Sequence, residues 1–202
     1  MVTSRERVAL ALSHTEPDRV PLDLGSTAVT GIMATALGKL RSALGLEPRR
    51  VRIHEPYQML GQVDDDLLDA LDVDVIGLYE ENTMFGFPAG GWKPFTLNNE
   101  TSAQVPGGFN TERDANGDLY QYPCADRAAP PSGRMPAGGF YHDAIERQRP
   151  DAEQRLIPEE WVRDMYRLYT DEELQSLEDR SRTLHENTSR AIIGNFGTAG
   201  FG

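Results

Sequence analysis

The stretch Glu16-Pro-Asp-Arg-Val-Pro-Leu-Asp-Leu-Gly25 constrains this chain most. Pro17 and Pro21 hold φ near one value and cannot donate a backbone N–H, so no helix runs through them. Val20, Leu22 and Leu24 then make a short apolar run that stops at Gly25. The pattern predicts a buried strand over residues 20–24, entered by a tight turn and left through a glycine loop. Upstream, Val8, Ala11 and Leu12 share one face of a short helix capped by Ser4 and ending near His14. Downstream, Ser26-Thr27 can start a helix with the stripe Met33, Ala36, Leu37, Leu40 and Leu44, closed by Gly45 and Pro48. A strand framed by helices is the seed of an α/β fold. Asp23 sits near that strand's C-terminal end, where α/β sheets and (β/α)8 barrels build their sites.

The alternation recurs. Residues 49–57 read as a charged, partly extended connection. Asp64, Asp65 and Asp66 crowd a helix start, where carboxylates meet the positive end of the helix dipole, and Val63, Leu67, Leu68 and Leu71 make its inner face. Residues 73–79 are a β-branched run, read as a second core strand. Residues 80–150 lose helical periodicity and gain Gly, Pro, Asn and aromatics. A structureless loop of that length is improbable, so they read as an inserted antiparallel β-meander. Within it Asn116-Gly117 signals a type I′ hairpin between arms 109–113 and 119–122, residues 96–105 suggest another strand, and 130–141 an ordered loop or lid. The portion 92–122 is expected to cover the C-terminal mouth of the core strands. A helix opening at Pro158 should bury Trp161, Met165, Leu168 and Tyr169. Thr170 with Glu173 is a capping box that starts another helix, with Leu174, Leu177, Ser181 and Leu184 on one face. Residues 191–196 form a third apolar strand that ends in the glycine loop Gly197–Gly200.

Strand, helix, strand, insertion, helices, strand is a parallel β/α order. Three core strands cannot close a barrel that needs about 250 residues. The fold class expected is therefore α/β: residues 1–202 as a single partial domain, the N-terminal part of a (β/α)8 TIM barrel truncated at its C-terminus. The open outer edge of the third strand should make the isolated chain prone to associate. A net charge of −12 argues against nucleic-acid and anionic-membrane partners, both of which select basic faces. No apolar run reaches membrane-span length, and the polar start is no signal peptide. The single cysteine, Cys124, excludes an internal disulfide or a Cys-rich zinc cage from this chain alone, so a cytoplasmic location is expected.

Ser4-Arg-Glu-Arg-Val8 followed by residues 16–25 resembles the opening of the uroporphyrinogen decarboxylase-like superfamily, and more closely its corrinoid-linked methyltransferase branch. Residues 66–75, Pro131-Ser-Gly-Arg-Met-Pro-Ala-Gly-Gly-Phe-Tyr141 and Ala191-Ile-Ile-Gly-Asn-Phe-Gly197 are similar to further segments of that family. The decarboxylases' Met-Arg-Gln-Ala-Gly-Arg motif is replaced here by Leu24-Gly-Ser-Thr-Ala-Val-Thr30, without arginine. Their Ser-Asp-Ile strand end is replaced by Tyr79-Glu80-Glu81. The resemblance therefore implies a barrel enzyme of corrinoid-linked methyl transfer, working on a small-molecule substrate with a corrinoid protein. It implies zinc ligands of the His-x-Cys and distant Cys kind beyond Gly202, and hence no metal or cofactor site within this chain. A uroporphyrinogen decarboxylase-type lyase, for which Arg19 is the arginine nearest the first strand, and a non-catalytic corrinoid- or tetrapyrrole-binding module are the alternatives.

Asp23 and Glu80 are the candidate catalytic carboxylates. Asp23 could instead cap the turn at Ser26, and Glu80-Glu81 could be a solvated loop pair. Gly25, Tyr79, Tyr141, Phe196 and Gly197 are the candidate substrate-binding residues. The aromatics, with Phe140 and Trp92, offer a stacking face, or else packing for the insertion, and the glycines allow close backbone approach or merely a tight turn. His54 and His142 stand isolated among polar residues and read as surface histidines, and Cys124 as a loop thiol.

Overall fold

A computed structural model describes residues 2–97, 101–145 and 168–194, together with Glu159. Helix α1 (Ser4–Leu12) opens on a reciprocal capping box: Thr3 Oγ accepts from Glu6 N, and the Glu6 carboxylate accepts from Thr3 N at 2.8 Å. The cap is thus Thr3 rather than Ser4. The apolar face expected of α1 does not pack: Leu12 is 78% exposed and the buried residue of the helix is Arg7. Helix α2 (Ala34–Ala43) begins eight residues after Ser26. Residues 23–30 satisfy their own backbone instead. Asp23 accepts from Ser26 N, Thr27 and Thr30 exchange hydroxyl and amide contacts, and Gly25 N donates to Thr30 O at 2.8 Å. Such side-chain-to-backbone bonds compete with a helix start. Ala34 and Leu37 of α2 enter the core.

Strand β1 (Val51–Glu55) lies in what the sequence suggested was a connection; Val51 and Ile53 are buried and Arg52 is exposed, the period of two of a half-covered strand. It is followed by β2 (Leu60–Gly61), α3 (Asp65–Ala70) and β3 (Val75–Leu78). Asp64 is the N-cap of α3, and Val63, Leu67 and Leu68 are buried beneath it, as the spacing predicts. Then come β4 (Lys93–Thr96), β5 (Ser102–Val105), β6 (Thr111–Arg113), β7 (Leu119–Gln121), β8 (Gly133–Met135) and β9 (Asp143–Ala144). Helix α4 (Asp171–Asn187) starts at the Thr170–Glu173 capping box, and β10 (Ala191–Gly194) follows it. Of the helix expected from Pro158 through Met165 only Glu159 is among the described residues, where it is helical and exposed; Leu168 and Tyr169, expected to be buried by it, are 90% and 41% exposed.

The described strands form three separate sheets and no closed barrel. One is mixed, β2-β1-β5-β4, with β5 parallel to β1 and antiparallel to β4. One is β3 with β10, parallel over four residue pairs from Val75↔Ala191 to Leu78↔Gly194. The third is the antiparallel meander β6-β7-β8-β9. Its first turn is not type I′, which needs positive φ at both central residues. Here Gly117, at +89°, takes the left-handed position after a turn closed by Gly117 N on Asp114 O. The segment 130–141, expected to be loop, contains β8.

Residues 20–24 are not a strand. Val20 is 79% and Leu22 47% exposed. The segment still runs beside β3: Asp74 N donates to Leu22 O at 2.8 Å, and a Cβ on Gly77 would stand 2.1 Å from Ser26 O, so this approach needs glycine. The ladder fails because Pro21 offers no N–H and the Leu22 N–H is taken by the Asp74 side chain at 2.9 Å.

Asp74 is a node missed in the sequence. It is fully buried at the head of β3 and accepts from Arg7 Nη1 at 2.5 Å and Arg19 Nη1 at 2.6 Å. Arg7 also forks onto Asp18 at 2.6 and 2.8 Å. The Asp74 backbone carbonyl receives Ala191 N, which seats β10. Burial by itself would raise the Asp74 pKa, but hydrogen bonds from Leu22 N–H, Ser4, Arg7 and Arg19 outweigh it and hold the carboxyl below its ordinary value. The signal was an acid inside a β-branched run, a residue type rarely buried without partners.

Candidate functional site

The end of β3 is where the chain gathers chemistry. Because residues 22–26 run in the same direction as β3, Gly25 and Ser26 arrive beside Tyr79 and Glu80, just past the strand's C-terminal end. The Tyr79 hydroxyl donates to Gly25 O. A cavity of about 740 Å³ opens here, walled by Leu24, Val63, Leu68 and Leu184 and edged by Tyr79, Glu80, Arg52 and Arg180. The α4 side is held down by Arg180, whose Nη1 donates to Tyr79 O at 2.7 Å, while Glu81 accepts from Ser176 Oγ at 2.7 Å and pairs with Arg180 at 3.5 Å.

Gly25, Tyr79 and Glu80 therefore meet around one cavity. Asp23 does not aim a free carboxylate into it. Its oxygens accept from Ser26 N at 3.2 Å and Ser26 Oγ at 2.5 Å, the turn-capping role. Tyr141 is 56% exposed on the meander and is not among the cavity's residues. Phe196 and Gly197 lie outside the described residues. Trp92 stacks under the Arg52 guanidinium, 5.6 Å from its ring centre, rather than presenting a face of its own. Cys124 is exposed, as its loop position suggested.

The histidines reverse the sequence expectation. His54 lies against Tyr79 with ring centres 4.5 Å apart, and its Nε2 is buried without a hydrogen-bond partner. Burial holds its pKa down at about 4, so the ring is neutral at pH 7. His142 is 1% exposed. Both fall where a half-buried strand or an aromatic cluster carries them inward, which isolated polar neighbours in sequence did not reveal. Tyr79 is pushed up to about 12, by burial first and by the Asp23 charge second. It is a phenol at neutral pH and can donate a hydrogen bond but not serve as a base. Glu80 is an exposed carboxylate at this edge, able to accept from a ligand.

Around the cavity Asp64, Asp65, Glu80 and Asp179 outnumber Arg52 and Arg180. That balance is unsuited to a ligand bearing several carboxylates. Arg19 is committed to Asp74 and to Asp72 O at 2.7 Å, so it is not free to grip one. Among the described residues no group of three or more His, Cys, Asp or Glu side chains that could hold a metal ion is found. Also among the described residues, no helix is long and apolar enough to cross a membrane. Leu184 was placed on the inner face of α4 by its spacing, but Arg180 and Thr183, which stand beside it at the cavity, were not singled out in the sequence. Compared with protein-family models, curated proteins and solved structures, the chain matches none.

Proposed function

We propose that this chain belongs to a uroporphyrinogen decarboxylase-like barrel enzyme of corrinoid-linked methyl transfer, with its small-molecule substrate in the cavity past β3. One observation carries the reading. Gly25, Tyr79 and Glu80, candidates already in the sequence, lie around one cavity at the C-terminal end of a parallel strand pair, the end at which α/β folds bind ligands. A corrinoid protein would supply the methyl group. The chain's own residues would do the rest. Leu24, Val63, Leu68 and Leu184 exclude water from the transfer, the Tyr79 ring backs the substrate, and Glu80 accepts a hydrogen bond from its polar end. The acid-rich lining and the engagement of Arg19 favour this reading over a porphyrinogen lyase.

The test follows methylcobalamin absorbance in the metal-replete protein, with a thiol or tetrahydrofolate as acceptor. Demethylation that falls at least tenfold in Glu80→Gln, with folding unchanged by circular dichroism, is the expected result. Absence of spectral change with every acceptor removes the reading. Saturable corrinoid binding without turnover leaves a binding module in its place.

A further inference from the structure

The meander is tied to the β1–β2 turn by one side chain. His142, between β8 and β9, donates its backbone N–H to Tyr57 O at 2.7 Å, and its Nδ1 lies 3.0 Å from Pro56 O. A carbonyl only accepts, so Nδ1 carries the proton and Nε2 keeps the free lone pair. That Nε2 is buried and has no hydrogen-bond partner. Around it stand Phe85 and Phe109, both edge-on with ring centres 5.9 and 6.0 Å from the imidazole, and Gly133, where an added Cβ would sit 3.4 Å from His142 Cβ. Phe85 in turn packs on Tyr57 and Phe87.

We propose that His142 is an acid-sensitive latch: protonation of its Nε2 places a cation with no acceptor inside the aromatic cage and releases the meander from the β1–β2 turn. The groups facing it offer little compensation. Phe85 and Phe109 carry no charge, and Tyr57 presents its carbonyl and its ring. The Glu55 carboxylate, beyond Pro56, is occupied by Tyr57 N at 3.0 Å and Gln58 N at 2.8 Å. Among the described residues Asp143 is the anion whose charge favours the charged ring, and it is exposed at the start of β9. Burial outweighs it and the two backbone carbonyls, and the ring's pKa is held down at about 4. The latch is therefore closed at pH 7 and opens as pH falls below the ordinary histidine value of about 6.5. Its hold reaches two sheets, because Pro56 and Tyr57 follow β1 directly while Gly133 belongs to β8.

The experiment is hydrogen–deuterium exchange of the intact chain from pH 7.5 to 4.5, corrected for the intrinsic rate, read on peptides covering 111–145. Protection there should fall roughly 100-fold by pH 4.5, as expected for a ring moving between values of about 4 and 6.5, while peptides of α2 and α3 keep theirs. His142→Gln retains a donor for Pro56 O and cannot become a cation, so it should remove the pH dependence; His54→Gln should leave it in place. If the loss persists in His142→Gln, or the whole chain unfolds in one step at the same pH, the latch does not exist. Should His142→Gln fail to fold, the imidazole nitrogen shifts of the wild-type protein decide. A protonated Nδ1 with titration below about pH 5 supports the proposal, and titration at or above 6.5 overturns it.

Discussion

The two ends of this molecule are held by different forces. The β3–β10 pair and α1 are fastened by charge: Arg7, Asp18, Arg19 and Asp74 around the head of β3, and Arg190 reaching Asp69 at 2.5 Å and Val73 O at 2.9 Å. Neither α1, α4 nor β10 places a residue in the apolar core cluster. The meander and the mixed sheet are held by burial instead, with Phe85, Phe87, Phe109, Leu119 and Met135 joined to Ile53, Val105 and Leu67 in one cluster. Burial is non-directional and tolerates shifts of register; a buried carboxylate with two guanidiniums does not. The charged end therefore depends on a few exact partners, and the aromatic end on total contact.

The largest effect should come from stranding those partners. Asp74→Ala removes the buried acceptor shared by Arg7 and Arg19 and leaves them Asp18 and the Asp72 carbonyl; breaking this buried network should cost about 3–5 kcal/mol. In chemical denaturation with exchange readout, α1 and β10 should lose protection first. Equal loss in β6–β8 would mean that the two ends are one cooperative unit. Phe87→Ala, at a side chain 2% exposed, is the counterpart and should cost about 3–4 kcal/mol with the opposite distribution. If it melts β10 before the meander, the division drawn above is wrong.

Acid separates the ends by the pH range in which each weakens. His54 is neutral when folded, with a value of about 4 against the ordinary 6.5. Stability is thus lost as pH falls below about 6.5 and the loss is complete near 4, amounting to about 3 kcal/mol. The Asp18 and Asp74 carboxylates are shifted down from 3.8, Asp18 chiefly by its Arg7 hydrogen bonds. What they contribute is present above that value and disappears only as pH falls through the lowered one. Thermal melts at pH 7, 5 and 3 should show the aromatic end weakening first and the charged end failing only at the lowest pH; His54→Gln should remove the His54 share of the first phase and leave the share that His142 contributes. The smallest expected effect is Thr170→Ala, which removes one side of a capping box and should cost about 1 kcal/mol. It should fray α4, seen as lost helical ellipticity, without touching the meander. A loss there would show that α4 supports both ends.

Much of the local structure was legible in the chain. The Asp64 helix start, the Thr170–Glu173 cap, the β-branched run at β3 and the turn at Asn116-Gly117 depend on neighbours within about four residues, and short-range chemistry decides them. Tyr79 and Glu80 could be picked out because a strand end is a local feature too. The segment 20–24 shows the limit. Its pattern is that of a strand, but a strand exists only if a partner pairs with it, and here a side chain 52 residues away takes the N–H that pairing needs. The same holds for His54 and His142. Their sequence neighbours are polar, and their burial comes from Tyr79 in one case and from Phe85 and Phe109 in the other. The sequence by itself determined where helices can begin, where chains must turn and which strand is wholly apolar, because those are set by φ, by capping groups and by period. Only the tertiary structure decided which carboxylate lies under two arginines, which imidazole has no partner for its lone pair and which residues wall the cavity. Each of those is a contact between distant segments, and its energy does not exist until the chain has closed on itself.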